Sequence, residues 1–204
     1  VRRLTALPWF SAMAVTEGNR LLYEAYAADF RPDQPHSMMS ISKMSVNLLI
    51  GRLWEDGRID LHETLGAILP WIGPGYRDAT LQDALDMNLQ NDFDEDYSNP
   101  DSAAFRHEVA LGMRLSTGDE PTNRAFLSGI GLAPGQSDTR NITGTCLYKS
   151  ANTDVLALAA EARMDRSLHL WLADLADAMG LEGALHVGTD RAGFPTLNGG
   201  LCLT

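Results

Sequence analysis

The sequence predicts a mixed α/β protein in which an antiparallel pair of strands precedes a large helical region and a short strand follows it. Two observations carry this. Residues 10 to 30 hold two apolar arms joined at "EGN", and several later segments repeat apolar residues at helical spacing between clear start and stop signals. A third, the mix of 45% hydrophobic and 21% charged residues over 204 positions, suits one or two globular domains around a sizeable core.

Along the chain, "FSAMAVTEGNRLLYEAYAADF" reads as a hairpin, with Ala12, Ala14 and Val15 on one arm and Leu22, Tyr23, Ala25 and Tyr26 on the other. The prolines of "RPDQPH" make a loop. Apolar positions Met44, Leu48, Leu49, Leu53 and Trp54, stopped by Gly57, then predict a helix with Ser40 at or near its start. "IDLHETLGAILPWI" and "TLQDALDMNL" read as two more helices, the second opened by Thr80 as cap with Asp83 in its first turn. After the acidic loop "QNDFDEDYSNPD" come weaker helical patterns over 102–130, broken by "STGDEPTN", and a loop at "GLAPGQSDTRNITG". "NTDVLALAAEARM" predicts a strong helix capped by Asn152 or Thr153, and "SLHLWLADLADAMG" another that ends at Gly180. A strand is expected near "ALHVGTD". The expected division is 1–36 for the start of a sheet domain, 37–180 for a mainly helical domain, and 181–204 for a return toward the sheet.

Charge and composition exclude several function classes. A formal net charge of -11 and a pI near 4.7, without a basic cluster, argue against a nucleic-acid partner. No apolar run approaches the length of a membrane span, and "VRRLTALPWFSAMAV" lacks the features of a secretory leader, so a cytoplasmic protein without membrane partners is expected. Cys146 and Cys202 form no C-x-x-C pattern or disulfide framework and read as small buried hydrophobes. The five histidines show no H-x-x-x-H spacing for zinc, and Asp92, Asp94 and Asp96 imitate the start of a calcium loop that lacks its glycine and closing glutamate. "LNGGL" has no lysine to make it a phosphate loop. Neither metal nor organic cofactor is expected.

The chemistry concentrates in "HSMMSISKMSVNLLI". Ser40 and Lys43 are three residues apart, a spacing that sets both on one helix face. A serine hydroxyl becomes a useful nucleophile when a neighbouring base takes its proton, and burial or a helix N-terminus depresses a lysine toward the neutral amine that can do so. The same residues also read as an N-cap followed by an incidental lysine. Lysine scarcity favours chemistry: the chain has fourteen arginines and two lysines, and arginine does not act as a base. The second lysine, Lys149, follows Tyr148, and a phenol beside positive charge can relay a proton.

Taken together and in order, "SMMSISK", "EDGRIDL", "DFDEDYSNP", "YKSANTDVLAL" and "DRAGFPTLNGGLCLT" resemble the serine β-lactamase and penicillin-binding-protein superfamily. The resemblance covers about residues 10 to 204 and is strongest to the esterase and amidase branch that includes 6-aminohexanoate-dimer hydrolase. It implies a β-lactamase/transpeptidase-like fold, with an antiparallel sheet flanked by helices and a helical domain. Ser40 resembles the family nucleophile, Lys43 its partner amine, and Tyr148 the tyrosine of the second motif. Ser150 stands where many members have asparagine and inherits its hydrogen-bonding role, while Tyr97 corresponds to a residue that borders the substrate pocket as a lid. The third family motif, on a pocket-lining strand, lies beyond "GGLCLT"; His186-Val187-Gly188 resembles it but sits too early. Both ends of the chain look cut, and the final strands are expected to be missing. The resemblance implies a small-molecule ester or amide as substrate and leaves a homodimer open. The alternatives are a penicillin-recognising D,D-peptidase or β-lactamase, and a catalytically inactive binding protein of the same fold.

Overall fold

The computed structural model describes residues 2–204. Strands β1 (Ala12–Glu17) and β2 (Arg20–Tyr26) form the expected antiparallel hairpin, closed through Gly18 at a φ of +57°. Its pairing shifts between Val15 and Thr16, so the strand arms lose strict alternation, and most of their side chains face solvent. β3 (His36–Ser37) leads into a 3₁₀ turn, Met39–Ser42, and directly into α1 (Lys43–Glu55). The helix thus starts at Lys43, and Ser40 stands in the turn before it.

α1 buries Val46, Leu49, Ile50 and Leu53, the i, i+3, i+4, i+7 stripe of an amphipathic helix, and ends at Asp56 with Gly57 at a φ of +67°. Each fully buried leucine or isoleucine there contributes about 1.5–3 kcal/mol of transfer free energy. The stretch expected as a helix over residues 59–72 gives only α2 (Leu65–Ile68), and α3 (Pro74–Arg77) follows beyond it. Pro70 has no N–H to continue the first helix, whereas Pro74 sits in the opening turn of the second, where none is required. α4 (Leu81–Leu85) carries the predicted cap: Thr80 Oγ1 accepts from the Asp83 N–H at 3.0 Å and the Asp83 carboxylate accepts from the Thr80 N–H at 3.0 Å.

α5 (Ala103–Ala110) and α6 (Asn123–Ser128) are capped by Ser102 and Thr122 and flank the segment read as a break. α7 (Ser150–Arg163) starts earlier than the Asn152 or Thr153 cap expected from its sequence; both residues lie inside the helix and are buried. The Asn152 side chain instead accepts the Tyr76 hydroxyl at 2.9 Å. α7 is buried almost all round, the mark of a helix through the core, and packs against α1, α2 and α4. α8 (Leu168–Ala178) ends before Gly180, at a φ of +67°. The expected late strand is β4 (His186–Val187), and the last element is β5 (Leu201–Leu203). β5 lies between β3 and β4, antiparallel to both, so the chain end returns to the residues just before Ser40. This three-stranded sheet is separate from the hairpin.

Among the described residues no helix is long and apolar enough to cross a membrane, and no cluster of three or more His, Cys, Asp or Glu is arranged to hold a metal ion. Cys146 is exposed and Cys202 only partly covered, which corrects their reading as buried hydrophobes: one lies in the polar loop before α7, the other in a short strand beside open surface.

Candidate active site

The turn that carries Ser40 is anchored to β5 from both sides. The Met38 N–H donates to the Leu201 carbonyl at 2.8 Å, and the Leu201 N–H donates to the Ser42 hydroxyl at 3.2 Å. Between these anchors Met39 takes a φ of +45°, a left-handed conformation that costs a non-glycine residue energy and persists where surroundings enforce it. The next residue, Ser40, is turned outward and exposed.

The Ser40 hydroxyl caps no backbone N–H. It receives Lys43 Nζ at 3.2 Å and the Tyr148 hydroxyl at 2.9 Å. Lys43 reaches back from the first residue of α1, Tyr148 sits two residues before α7, and the packing of α1 on α7 brings them together. Lys43 Nζ also donates to the Asn198 carbonyl at 2.5 Å and lies 5.2 Å from the centre of the Tyr148 ring. Partial burial raises the Tyr148 phenol, but the hydrogen bonds to Lys43 and Ser40 and the positive charge of Lys43 outweigh it, leaving the group below its ordinary value of 10.

The cation beside Tyr148 is therefore Lys43, where the sequence pointed to Lys149. Lys149 has extended backbone, so its side chain leaves on the side opposite to that of Tyr148. Its buried ammonium donates to the Phe93 carbonyl, and burial lowers its pKa against the pull of Glu95, Asp92 and Asp94.

Ser150 and Tyr97 do meet, with 2.9 Å between their hydroxyl oxygens. The residue between them was not visible in the sequence. Glu95, from the acidic loop, accepts the Ser150 N–H at 3.0 Å and the Ser150 hydroxyl at 2.5 Å, and also bonds the Tyr97 hydroxyl. Its carboxylate closes the N-terminus of α7, which has no cap of its own, at the positive end of the helix dipole. Burial and the Glu95 bond together raise the Tyr97 phenol above its ordinary value. The acidic loop is thus held in place by α7, although its sequence reads as a solvated run; Asp92 and Asp94 likewise accept the N–H groups of Gly131 at 2.8 Å and Ala103 at 2.6 Å.

Ser40, Lys43, Tyr97 and Ser150 line one cleft of about 270 Å³ together with His107 and Arg114. Arg114 is paired with Glu108 at 2.5 Å and donates to the Tyr97 carbonyl at 3.0 Å. Under the cleft, burial depresses His107 to about 4, and Nε2 stands 2.9 Å from the Asn123 side-chain oxygen and 3.5 Å from Asp154. Burial also raises Asp154 well above its ordinary value; one of its oxygens accepts from the Asn198 amide at 2.8 Å, and the other has no partner among the described residues. Asn198 consequently links this buried carboxyl to Lys43. A larger groove of about 790 Å³, mainly apolar, runs beside the hairpin and does not include Ser40.

A family model described as Beta-lactamase matches residues 11–175. The chain belongs to the beta-lactamase family. Within this family it is 32% identical over 199 residues to the 6-aminohexanoate-dimer hydrolase of Paenarthrobacter ureafaciens, a match that covers 95% of this chain and 48% of that protein. The chain spans about half the length of the curated relative it matches. Among solved structures, a Bacillus anthracis protein provisionally named 6-aminohexanoate-dimer hydrolase superposes with a TM-score of 0.77 at 23% identity, over 96% of this chain and 51% of that one. FmtA from Staphylococcus aureus superposes with a TM-score of 0.68 at 15% identity, over 100% of this chain and 59% of that one. At these identities the superpositions establish the fold, which is β-lactamase/transpeptidase-like.

Proposed function

We propose that this chain carries the nucleophile half of a serine hydrolase that cleaves an ester or amide bond through an acyl-enzyme on Ser40. The observation that carries the reading is the exposed Ser40 hydroxyl bonded at once to the Lys43 amine and the Tyr148 phenol, at 3.2 and 2.9 Å. Tyr148, its phenolate favoured by Lys43, takes the Ser40 proton as the hydroxyl oxygen attacks the carbonyl carbon. The Ser40 N–H is one donor to the developing oxyanion. Tyr148 then returns the proton to the leaving oxygen or nitrogen, and a water deprotonated by the same pair releases the acid. Lys43 keeps the phenolate in place and holds its own position through the Asn198 carbonyl. Tyr97 and Ser150 border the substrate in the cleft.

Similarity to a 6-aminohexanoate-dimer hydrolase supports an amide or ester substrate over a β-lactam. The test is intact-protein mass after incubation with a fluorophosphonate, followed by peptide mapping. One adduct on Ser40, absent from Ser40→Ala, is expected. A folded protein that takes no adduct, or takes it elsewhere, overturns the assignment, and an equally fast adduct with benzylpenicillin moves it to the penicillin-recognising class.

A further inference from the structure

Helix α4 ends on a left-handed residue, and that residue is Met87, at a φ of +52°. The Met87 N–H donates to the Ala84 carbonyl at 3.3 Å, and the next N–H, that of Asn88, donates to the Asp83 carbonyl at 2.8 Å. This pattern of helix ending favours glycine, which has no Cβ to strain in the left-handed region. A methionine there is held against its own preference, and such conformations persist where the surroundings enforce them.

The contacts of Met87 lie on both sides of Tyr148. Its carbonyl accepts the Leu147 N–H at 2.9 Å, and its sulfur accepts the Lys149 N–H at 3.4 Å. In extended chain alternate N–H groups leave one edge of the backbone, so a single residue can take both. The sulfur also receives the Asn152 side-chain N–H at 3.3 Å; the buried Tyr76 hydroxyl, donating to the oxygen of that amide at 2.9 Å, sets its direction. A thioether is a weak acceptor, yet two donors converge on this one. The chain leading to Tyr148 is exposed from Ile142 to Cys146, so the grip of Met87 comes just where the loop must become fixed. Met87 and Lys43 also line one pocket of about 270 Å³, walled by α1, α4 and α7.

We infer that Met87 is a positioning residue for Tyr148: its carbonyl and sulfur hold the backbone on either side of that tyrosine and keep the phenol within reach of Ser40 and Lys43. The inference deepens the serine-hydrolase reading and rests on it for the role of Tyr148. A residue that served the end of α4 alone would be better as glycine. Glycine has no sulfur, and this separates the two roles.

The test is the titration of Tyr148 in the full chain, read from phenolate absorbance as the difference between each protein and the same protein carrying Tyr148→Phe. Around this phenol stand Ser40 and Lys43, Ser150 at the start of α7 and Tyr97 from the acidic loop. Partial burial raises it, and the bonds to Lys43 and Ser40 with the Lys43 charge bring it below 10. Met87→Gly suits the left-handed backbone but removes the sulfur, Met87→Leu removes the sulfur and keeps the bulk, and Met87→Gln restores an acceptor at similar length. In the glycine and leucine variants the titration should move up toward 10 as the phenol drifts from Lys43. Acylation of Ser40 by a fluorophosphonate should fall roughly tenfold, the order expected when a reacting group is displaced by a fraction of an ångström. The glutamine variant should keep both values near the parent's. If the glycine variant does not fold, the leucine variant decides. A Tyr148 titration unchanged in the folded variants that lack the sulfur overturns the proposal, whether or not Ser40 takes the label. A titration that moves in them while the parent's Ser40 takes no label upholds the positioning role and removes the hydrolase reading instead.

Discussion

Replacing Tyr148 by phenylalanine removes one oxygen, and that oxygen stands 2.9 Å from the Ser40 hydroxyl. The side chain is 43% exposed, so loss of the hydroxyl leaves no buried group unpaired, and the fold should persist by circular dichroism. A positioned acid-base group contributes about 10²- to 10⁴-fold, equivalent to about 3–5 kcal/mol of barrier. Lys43 remains 3.2 Å from Ser40 as a weaker substitute, which places the expected loss toward the lower part of that range, about 10²- to 10³-fold. The assay is the rate of fluorophosphonate adduct formation on Ser40, followed by mass across pH. The reactive form of Tyr148 is the phenolate, and Lys43 holds its pKa below 10, so the rate should climb with pH and level off before pH 10. In Tyr148→Phe that limb should vanish. Labelling of the phenylalanine variant within about threefold of the parent, with the same pH profile, would refute the assignment of Tyr148 as the proton carrier.

Four further outcomes follow from the packing. His107, depressed from 6.5 to about 4 by burial, stabilises the fold fully above pH 6.5 and loses up to about 3 kcal/mol as pH falls toward 4, because the unfolded chain takes the proton first. Asp154, raised by burial, acts in the opposite sense, so Asp154→Asn should make acid loss of stability steeper in urea titrations between pH 6.5 and 4. Thr80→Ala removes the side-chain half of the α4 capping box, keeps the backbone N–H that donates to Asp83, and should cost about 1 kcal/mol, a fall of about 2–4 °C in melting temperature. Gly75→Ala places a methyl 2.3 Å from the Gly131 carbonyl oxygen, in a core with no flexible neighbour to yield there. It should cost about 1–3 kcal/mol by denaturant titration, and an unchanged midpoint would show that the backbone around α3 yields to the methyl.

The parts of the fold that were legible are those set by neighbours in sequence. The hairpin announced itself by its turn at Gly18, α4 by Thr80 and Asp83, and α8 by Gly180, because caps and turns are local chemistry. Ser40 and Lys43 were legible for the same reason, being one helical turn apart. What the sequence concealed depends on distant backbone. Nothing near Glu95 indicates that a helix beginning 55 residues later will present its first N–H there. Lys149 was assigned to its neighbour Tyr148, yet adjacent residues in extended chain diverge, so adjacency itself sent the charge elsewhere. Nothing local marks Asp154 either: its bond to Asn198 spans 44 residues and that of Asn198 to Lys43 spans 155.

The division of labour between the two lysines explains how an exposed site keeps its geometry. Lys43 keeps its ammonium 3.2 Å from the Ser40 hydroxyl and 5.2 Å from the centre of the Tyr148 ring. Lys149 has to hold a loop, so its ammonium is buried against the Phe93 carbonyl and fixes the segment that carries Glu95 and Tyr97. Both act from the ends of helices that pack on each other, α1 and α7. A shift of either helix would separate Ser40 from Tyr148, and the all-round burial of α7 resists that shift, since close-packed interiors yield little to displacement. The strained turn at Met39 then turns Ser40 outward from a fixed base. The rigidity of the site comes from the core, and its openness comes from that one turn.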